Sequence, residues 1–421
     1  MNNATRIEIE KPRLGIPVSL IIDDAVPVVN ALYYFRLQIN QEGYHQLVKR
    51  IPLDFLEQFA AVVQKWGLRG KFTVIPYPAG LGSILEGWEG CDKAELESWL
   101  GLARSAIAPR FDITPEILTH TLALDLKTRQ LIPEPEHIWM ASRTQAELSE
   151  YMGTAVDLLR QAGFAPIGIT QPCYFKGDRP SYDQAVLEAI RPPGGDPAGT
   201  AAFYFIDFCP DKAPVPPHPV VLLDRERGEA VVSMLAYADD YFWNSQYPNP
   251  PGYLHMADEL ITADLPQQQA GRLVELMRAG AWATFCTHWQ SLYSNGSRQG
   301  LAGLEEVAKR LANTFGARLL WMTNSEMARY RAAEEALRTT WLDERTLQLD
   351  SAFACPDFTL TLAGRTAERV ELASAQGAVQ ALRRVATGAG GLLAPGSWQT
   401  DGERLTACFD LQRGVQALRL L

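Results

Sequence analysis

Two carboxylates stand side by side at the end of an apolar run, Val18-Ser19-Leu20-Ile21-Ile22-Asp23-Asp24. A run of this length with polar residues at its boundary is the pattern of a strand buried on both faces, as in parallel sheets. Adjacent carboxylates repel each other and cost free energy unless a cation offsets them. A metal ion is the usual offset, and metal ions are held by carboxylates and imidazoles fixed on a rigid frame. The chain has six histidines. His120 and His288 each follow an apolar stretch, whereas His45, His218 and His255 lie in polar or proline-rich segments and read as bland. Successive residues of an extended strand point to opposite faces. Asp23 and Asp24 therefore need different jobs, one ligating a metal and the other beside the substrate. A carboxylate there can take a proton from water as a general base.

The elements that must position these residues alternate. Pro52 to Val63 has apolar residues at helical spacing, the helix stops at Gly67, and Lys71 to Tyr77 reads as a strand. Together with the first strand this is a βαβ unit. Further helices are expected over 93–107, 144–162, 181–190, 267–279, 301–315 and 325–337. Strands are expected over 111–120, 165–170, 201–208, 231–237, 282–286 and 318–323. About eight strands, most followed by a helix, predict an α/β fold, a distorted or incomplete (β/α) barrel. Asp23, Asp24, Tyr77, His120, Gln171, Asp207, Asp239, Asp240, His288 and Asn324 all fall at strand C-terminal ends, which a barrel brings to one face. Residues 25–51 form a long connection of the kind used as a lid. The barrel is expected over residues 1–338. From 339 to 421 short alternating runs separated by Gly and Asp predict a small C-terminal antiparallel β-sandwich domain.

The chain has 421 residues, 47% of them hydrophobic and 21% charged, with a net charge of −10. The acidic balance argues against nucleic acid as a partner. No apolar run approaches the ~20 residues that span a bilayer, so no membrane partner is expected. The N-terminus lacks the layout of a signal peptide. None of the six cysteines lies within four residues of another, and no CxxC-type zinc or redox motif exists. Reduced thiols and a cytoplasmic location are the expectation. There is no GxSxG elbow, no GxxxxGK[ST] loop, no HExxH and no dinucleotide fingerprint.

Three short segments carry a family resemblance. Ile21-Ile22-Asp23-Asp24-Ala25 resembles the TFDD-type motif of the NodB-like polysaccharide deacetylases. Thr119-His120-Thr121 is similar to the H(S/T)xxH motif of their third strand, and Phe285-Cys286-Thr287-His288 to their late LxH motif. The three occur in the family's order, within about residues 15 to 330. The resemblance implies a distorted (β/α) barrel and a metal-dependent hydrolase that removes an acyl group from an amide on a carbohydrate or related compound. It implies a divalent metal, zinc by the family's usage. By resemblance Asp23 is the general base, Asp24 and His120 are metal ligands, and His288 is the acid that protonates the leaving amine. The second histidine of the third-strand motif would fall at Leu124. Asp125 is the nearest acid and the expected third ligand, with His137 as the alternative. The fourth-strand Arg-Pro-aromatic motif is present only as Gln171-Pro172-Cys173-Tyr174, without its arginine.

Aromatic faces stack on the apolar faces of sugar rings, and Trp139, Tyr174, Tyr241, Trp243, Trp289 and Tyr293 lie near expected strand ends. Tyr174 and Trp289, with Asp240, are the expected contacts to a small-molecule or oligosaccharide substrate. Asp240 has a second possible role, orienting His288 through its ring N–H. Two other readings compete. Asp23 or Asp24 with Asp207 or Asp240 could form a metal-free glycoside hydrolase. The departures at Leu124 and Gln171 also suit a catalytically lapsed carbohydrate-binding protein.

Overall fold

The computed structural model describes residues 6–42, 44–209, 215–263, 269–388 and 391–421. The expectations for residues 1–5 and for the start of a helix at 267 fall outside them. Among the described residues, seven parallel strands form the ring, β1 (Ile16–Asp23), β2 (Gly70–Thr73), β3 (Phe111–Thr114), β4 (Gly168–Thr170), β5 (Thr200–Phe208), β6 (Glu229–Ala236) and β7 (Ala283–His288), and a further parallel strand, β8 (Leu319–Trp321), pairs with the start of β1. All eight residues of β1 are buried. It carries β7 on one side; on the other, β2 pairs with Leu20–Ile22 and β8 with Ile16–Val18. Gly70 makes this contact possible, because a Cβ there would lie 1.8 Å from the Leu20 carbonyl oxygen.

The ring is distorted where β3 meets β4 and where β6 meets β7. At the first seam one bridge, Glu116 with Thr170, closes the wall, supported by Thr170 N–H donating to Pro115 O at 2.8 Å. At the second, Ala238 bridges to Phe285. The N-terminal half of β6 pairs there with an antiparallel strand, Val220–Asp224, that the sequence pattern did not reveal. Both seams are thus joined only near the C-terminal ends of β4 and β6, at the rim where side chains converge.

The helices follow local rules. Leu53–Trp66 buries Phe55, Leu56, Phe59, Val62 and Val63 and ends at Gly67 with φ 67°. Gln145–Gln161 and Asn324–Ala336 each open on a capping box, Thr144 with Glu147 and Thr323 with Glu326. The segment expected as a loop over 25–51 contains a helix, Ala31–Gln38, capped by the Asn30 side chain. The strand expected over 111–120 stops at Thr114, because Pro115 cannot donate to a ladder.

The C-terminal domain is a nine-stranded sheet curled on itself. It is antiparallel except where Arg383 and Arg384 pair with Ser397 and Trp398. One edge strand is Ile7–Ile9, which pairs antiparallel with Cys355–Ala363, and the other is Arg338–Trp341. Phe358, Leu360, Leu405, Phe409 and Leu418 fill its core. The architecture is thus α/β, a distorted barrel with an appended β domain. No described helix is long and apolar enough to cross a membrane.

Candidate metal centre

Asp23 ends β1 and His288 ends β7, and the two are register partners. Asp24 follows with φ 57°, turning its side chain away from the direction strand alternation would give. His120 has φ 62° and is also held in the left-handed region. Such conformations cost of order 1–3 kcal/mol each and persist where surroundings impose them. Here the buried Glu136 carboxylate imposes the turn at His120, accepting from the backbone N–H of Leu118, Thr119 and His120 at 3.2, 3.0 and 2.8 Å.

Asp24, Glu116 and His120 form one buried group whose ligand atoms all lie within 4.8 Å of one another. His120 Nε2 lies 2.5 Å from Asp24 Oδ1, and Nδ1 lies 3.7 Å from Glu116 Oε1. Glu116 Oε2 accepts the Asp24 backbone N–H at 2.7 Å, and the Gln290 amide donates to Asp24 Oδ2. Burial pushes Glu116 up to about 8; Asp24 and Asp23 add to the push while His120 opposes it. Burial also works against Asp24, but the charge and hydrogen bond of His120, with His288 and Gln290 behind them, hold its carboxyl well below the usual range. His120 is raised well above its ordinary value because Asp24 and Glu116 outweigh its burial. Two carboxylates and an imidazole held this close are a donor set for a divalent cation. Binding one requires His120 to give up its proton.

Asp23 serves a separate arrangement. The Lys71 ammonium, wholly buried on β2, donates to Asp23 Oδ1 and to Thr170 Oγ1. Cys286 Sγ lies 3.6 Å from Asp23 Oδ2. The fourth-strand arginine implied by the resemblance is missing, and Lys71 supplies a cation to this carboxylate instead. His288 Nδ1 lies 2.8 Å from Asp240 Oδ2, which also accepts the His288 backbone N–H at 3.1 Å. Nε2 is the nitrogen left for a substrate. Although burial opposes it, Asp24 and the Asp240 contact raise His288 to about 10, so the imidazole is protonated at neutral pH. Trp243 packs edge-on against it with ring centroids 4.8 Å apart.

These groups line one cavity of about 600 Å³, with Phe35, Arg36, Gln171 and Phe208 among its other walls. Asp23, Asp24, His120, Asp240 and His288 are all brought there. Asp125 is not. It sits in the outer turn between Leu122–Leu124 and Leu131–Pro135, where its carboxylate accepts from the N–H groups of Lys127 and Thr128, both at 2.9 Å. Glu116 stands where the third ligand was expected from Asp125, and His137 packs on Tyr174 instead. Trp289 is fully buried against Phe55, Phe59 and Phe72, so its ring is core and cannot meet a substrate. Tyr174 is exposed and does not line the cavity. Asp207 pairs with Arg179 at 3.1 Å, away from the cavity walls.

Sequence signals for the missed groups exist. Glu116 and His120 stand four apart after a strand-ending proline, and Lys71 is a lone charge entering an apolar strand, rare unless paired.

No protein-family model and no curated protein matches the chain. The chain does align with solved structures of carbohydrate-active proteins. One is a Mycobacterium smegmatis protein described as a polysaccharide deacetylase, at 12% identity and TM-score 0.45, over 78% of this chain and 95% of that one. Another is the family 4 carbohydrate esterase from Streptomyces lividans in complex with acetate, at 11% identity and TM-score 0.29, over 62% and 82%. A third is the GH57-type branching enzyme from Pyrococcus horikoshii, at 11% identity and TM-score 0.39, over 74% and 69%. At such distances the roles of residues rest on the side chains of this chain alone.

Proposed function

We propose that the chain is a metal-dependent amide hydrolase that removes an acyl group from an acylated amine on a carbohydrate or a related small molecule. One observation carries this reading: a buried Asp24–Glu116–His120 ligand group shares a cavity with a protonated imidazole, His288, and a second carboxylate, Asp23. The three ligands would hold a divalent cation, zinc or a harder ion given two carboxylate donors. Such a cation supplies Lewis-acid polarisation of an acyl carbonyl and of water.

The chain's own residues supply the proton transfers. Asp23 accepts a proton from the water that adds to the acyl carbon. His288 gives its proton to the amide nitrogen, the C–N bond breaks, and a carboxylic acid and an amine leave. Lys71 fixes Asp23, and Asp240 fixes His288 with Nε2 toward the cavity. Phe35, stacked beside His120 with ring centroids 6.1 Å apart, adds an apolar face beside the ligands.

The metal-free glycosidase reading has less support, since Asp207 is held by Arg179 and Asp240 is engaged with His288 and Thr287. The test is elemental analysis of the purified chain with acetate release from N-acetylated sugars. Near-stoichiometric metal and acetate release, both lost in Asp24→Asn, are expected. Metal-free protein that cleaves glycosidic bonds would refute the proposal.

A further inference from the structure

Arg36 lies on the helix Ala31–Gln38, one residue after the Phe35 ring that stacks beside His120, and it lines the same cavity. Apart from Asp239, the other charged groups there answer one another. His120 meets Asp24 and Glu116, His288 meets Asp240, and Asp23 meets Lys71 behind the wall. Arg36 has no carboxylate partner among the described residues. One of its terminal nitrogens donates to the Tyr247 hydroxyl, and its guanidinium lies 5.4 Å from the Tyr247 ring centroid. Its Nε–H is buried with no acceptor. A guanidinium braced by a phenol and without a carboxylate partner can receive an oxyanion through a charge-assisted hydrogen bond from a terminal N–H not used by Tyr247.

The surrounding charge makes this arrangement selective. Asp23, Asp24, Glu116, Asp239 and Asp240 all line the cavity, and five carboxylates discourage an anionic ligand unless a cation is placed to receive it. We propose that Arg36 determines specificity by binding a carboxylate of the substrate, so that the enzyme acts on acidic acylated amines in preference to neutral ones. This rests on the amide-hydrolase reading for the reaction, but the binding site itself does not need the metal.

The test is calorimetric binding of N-acetylmuramic acid and of N-acetylglucosamine, which lacks the carboxylate-bearing lactyl group. Wild type, Arg36→Gln, Arg36→Lys and Asp24→Asn are compared, each checked for an unchanged melting profile. Wild type is expected to bind the acid at least ~10-fold tighter than the neutral sugar, the scale of one charge-assisted hydrogen bond. Arg36→Gln abolishes that ratio, Arg36→Lys keeps part of it, and Asp24→Asn retains it. Equal binding of the two sugars by wild type, binding of neither, or a ratio unchanged in Arg36→Gln overturns the proposal. Discrimination that depends on Arg36, with no acetate released from either sugar, would instead count against the hydrolase reading and leave the carboxylate site standing.

Discussion

Two sets of acids on the barrel strands have opposite fates. Asp112, on β3, has both carboxylate oxygens filled by one residue: Ser325 donates its backbone N–H at 2.6 Å and its hydroxyl at 2.7 Å. Ser325 lies in the first turn of the helix Asn324–Ala336, where a negative charge is favoured. Around Asp24 the accounts stay open. His120 Nδ1, Thr121 Oγ1, Gln290 Oε1 and both amide atoms of Gln171 are buried without a hydrogen-bond partner. Buried polar groups in folded proteins are nearly always paired, and exceptions call for an explanation. Asp112 ties a helix to a strand. The acids at the rim are gathered with spare donors and acceptors, and these suit a cation and a substrate.

The widest break in this comparison comes from the ligands. Asp24→Asn and Glu116→Gln should each lower metal affinity by more than the ~100-fold that bounds typical outer-shell changes. Asp125→Asn and Asp112→Asn should leave it unchanged. Elemental analysis after dialysis checks this. Unchanged affinity in Glu116→Gln would remove Glu116 from the site, and loss in Asp125→Asn would bring Asp125 into it.

Lys71 gives the next largest effect, and on stability. Its ammonium is wholly buried and its partner Asp23 nearly so. Lys71→Met strands a buried carboxylate and should cost ~3–5 kcal/mol in urea unfolding. The double variant Lys71→Met with Asp23→Leu should recover most of that loss, because a buried pair is often replaceable by apolar residues. It should stay inactive, since the proposed base is gone. Failure of the double variant to recover would mean that Lys71 acts mainly through Thr170.

Proton linkage sharpens the contrast further. In the metal-free chain His120 is held protonated well above its ordinary range and Glu116 is pushed up to about 8, so each cation bound near neutral pH should displace a proton from His120 and most of one from Glu116. Affinity should therefore rise with pH. Calorimetry in two buffers of different ionisation enthalpy measures the protons released. His288 should remain protonated through pH 8 in the metal-free chain, and Asp240→Asn should lower its pKa by removing a hydrogen-bonded carboxylate. An NMR titration of the imidazole reads this directly.

Much of this was legible in the sequence. The run ending in Asp23-Asp24 and the strand ending in Thr287-His288 are continuous in the chain, and β1 and β7 place those residues as register partners. The alternation of strands and helices was legible for the same reason: period and caps are local. Glu116, the third member of the candidate group, was not, because the sequence pattern reads as one strand from 111 through Pro115 to His120. The chain instead bends after Thr114 and folds Glu116 back onto the Asp24 N–H. Lys71 shows the same limit. Nothing local tells a buried lysine from a surface one, and only the neighbouring strand supplies Asp23. Trp289 is the converse case. Its position after His288 suggested a substrate contact, but its ring turns to the helix Leu53–Trp66 and fills the core.

The smallest effect belongs to Asp112 and tests whether the two sets of acids are really separate. Burial pushes its carboxyl up to about 7, with the Ser325 hydrogen bonds opposing. Unfolded, it titrates near ~3.9. Between roughly pH 4 and 7 the folded state therefore holds more protons than the unfolded one, and this residue's contribution to stability falls as pH rises through that window. Asp112→Asn should remove that decline. It should also cost about 1 kcal/mol at the acid end, because an amide oxygen cannot accept both Ser325 donors as the two carboxyl oxygens do. Urea midpoints at several pH values, with and without added metal, give both quantities. The difference between wild type and variant should be the same in either condition, because Asp112 has no part in the ligand group. A difference that depends on metal would join the two sets of acids into one network.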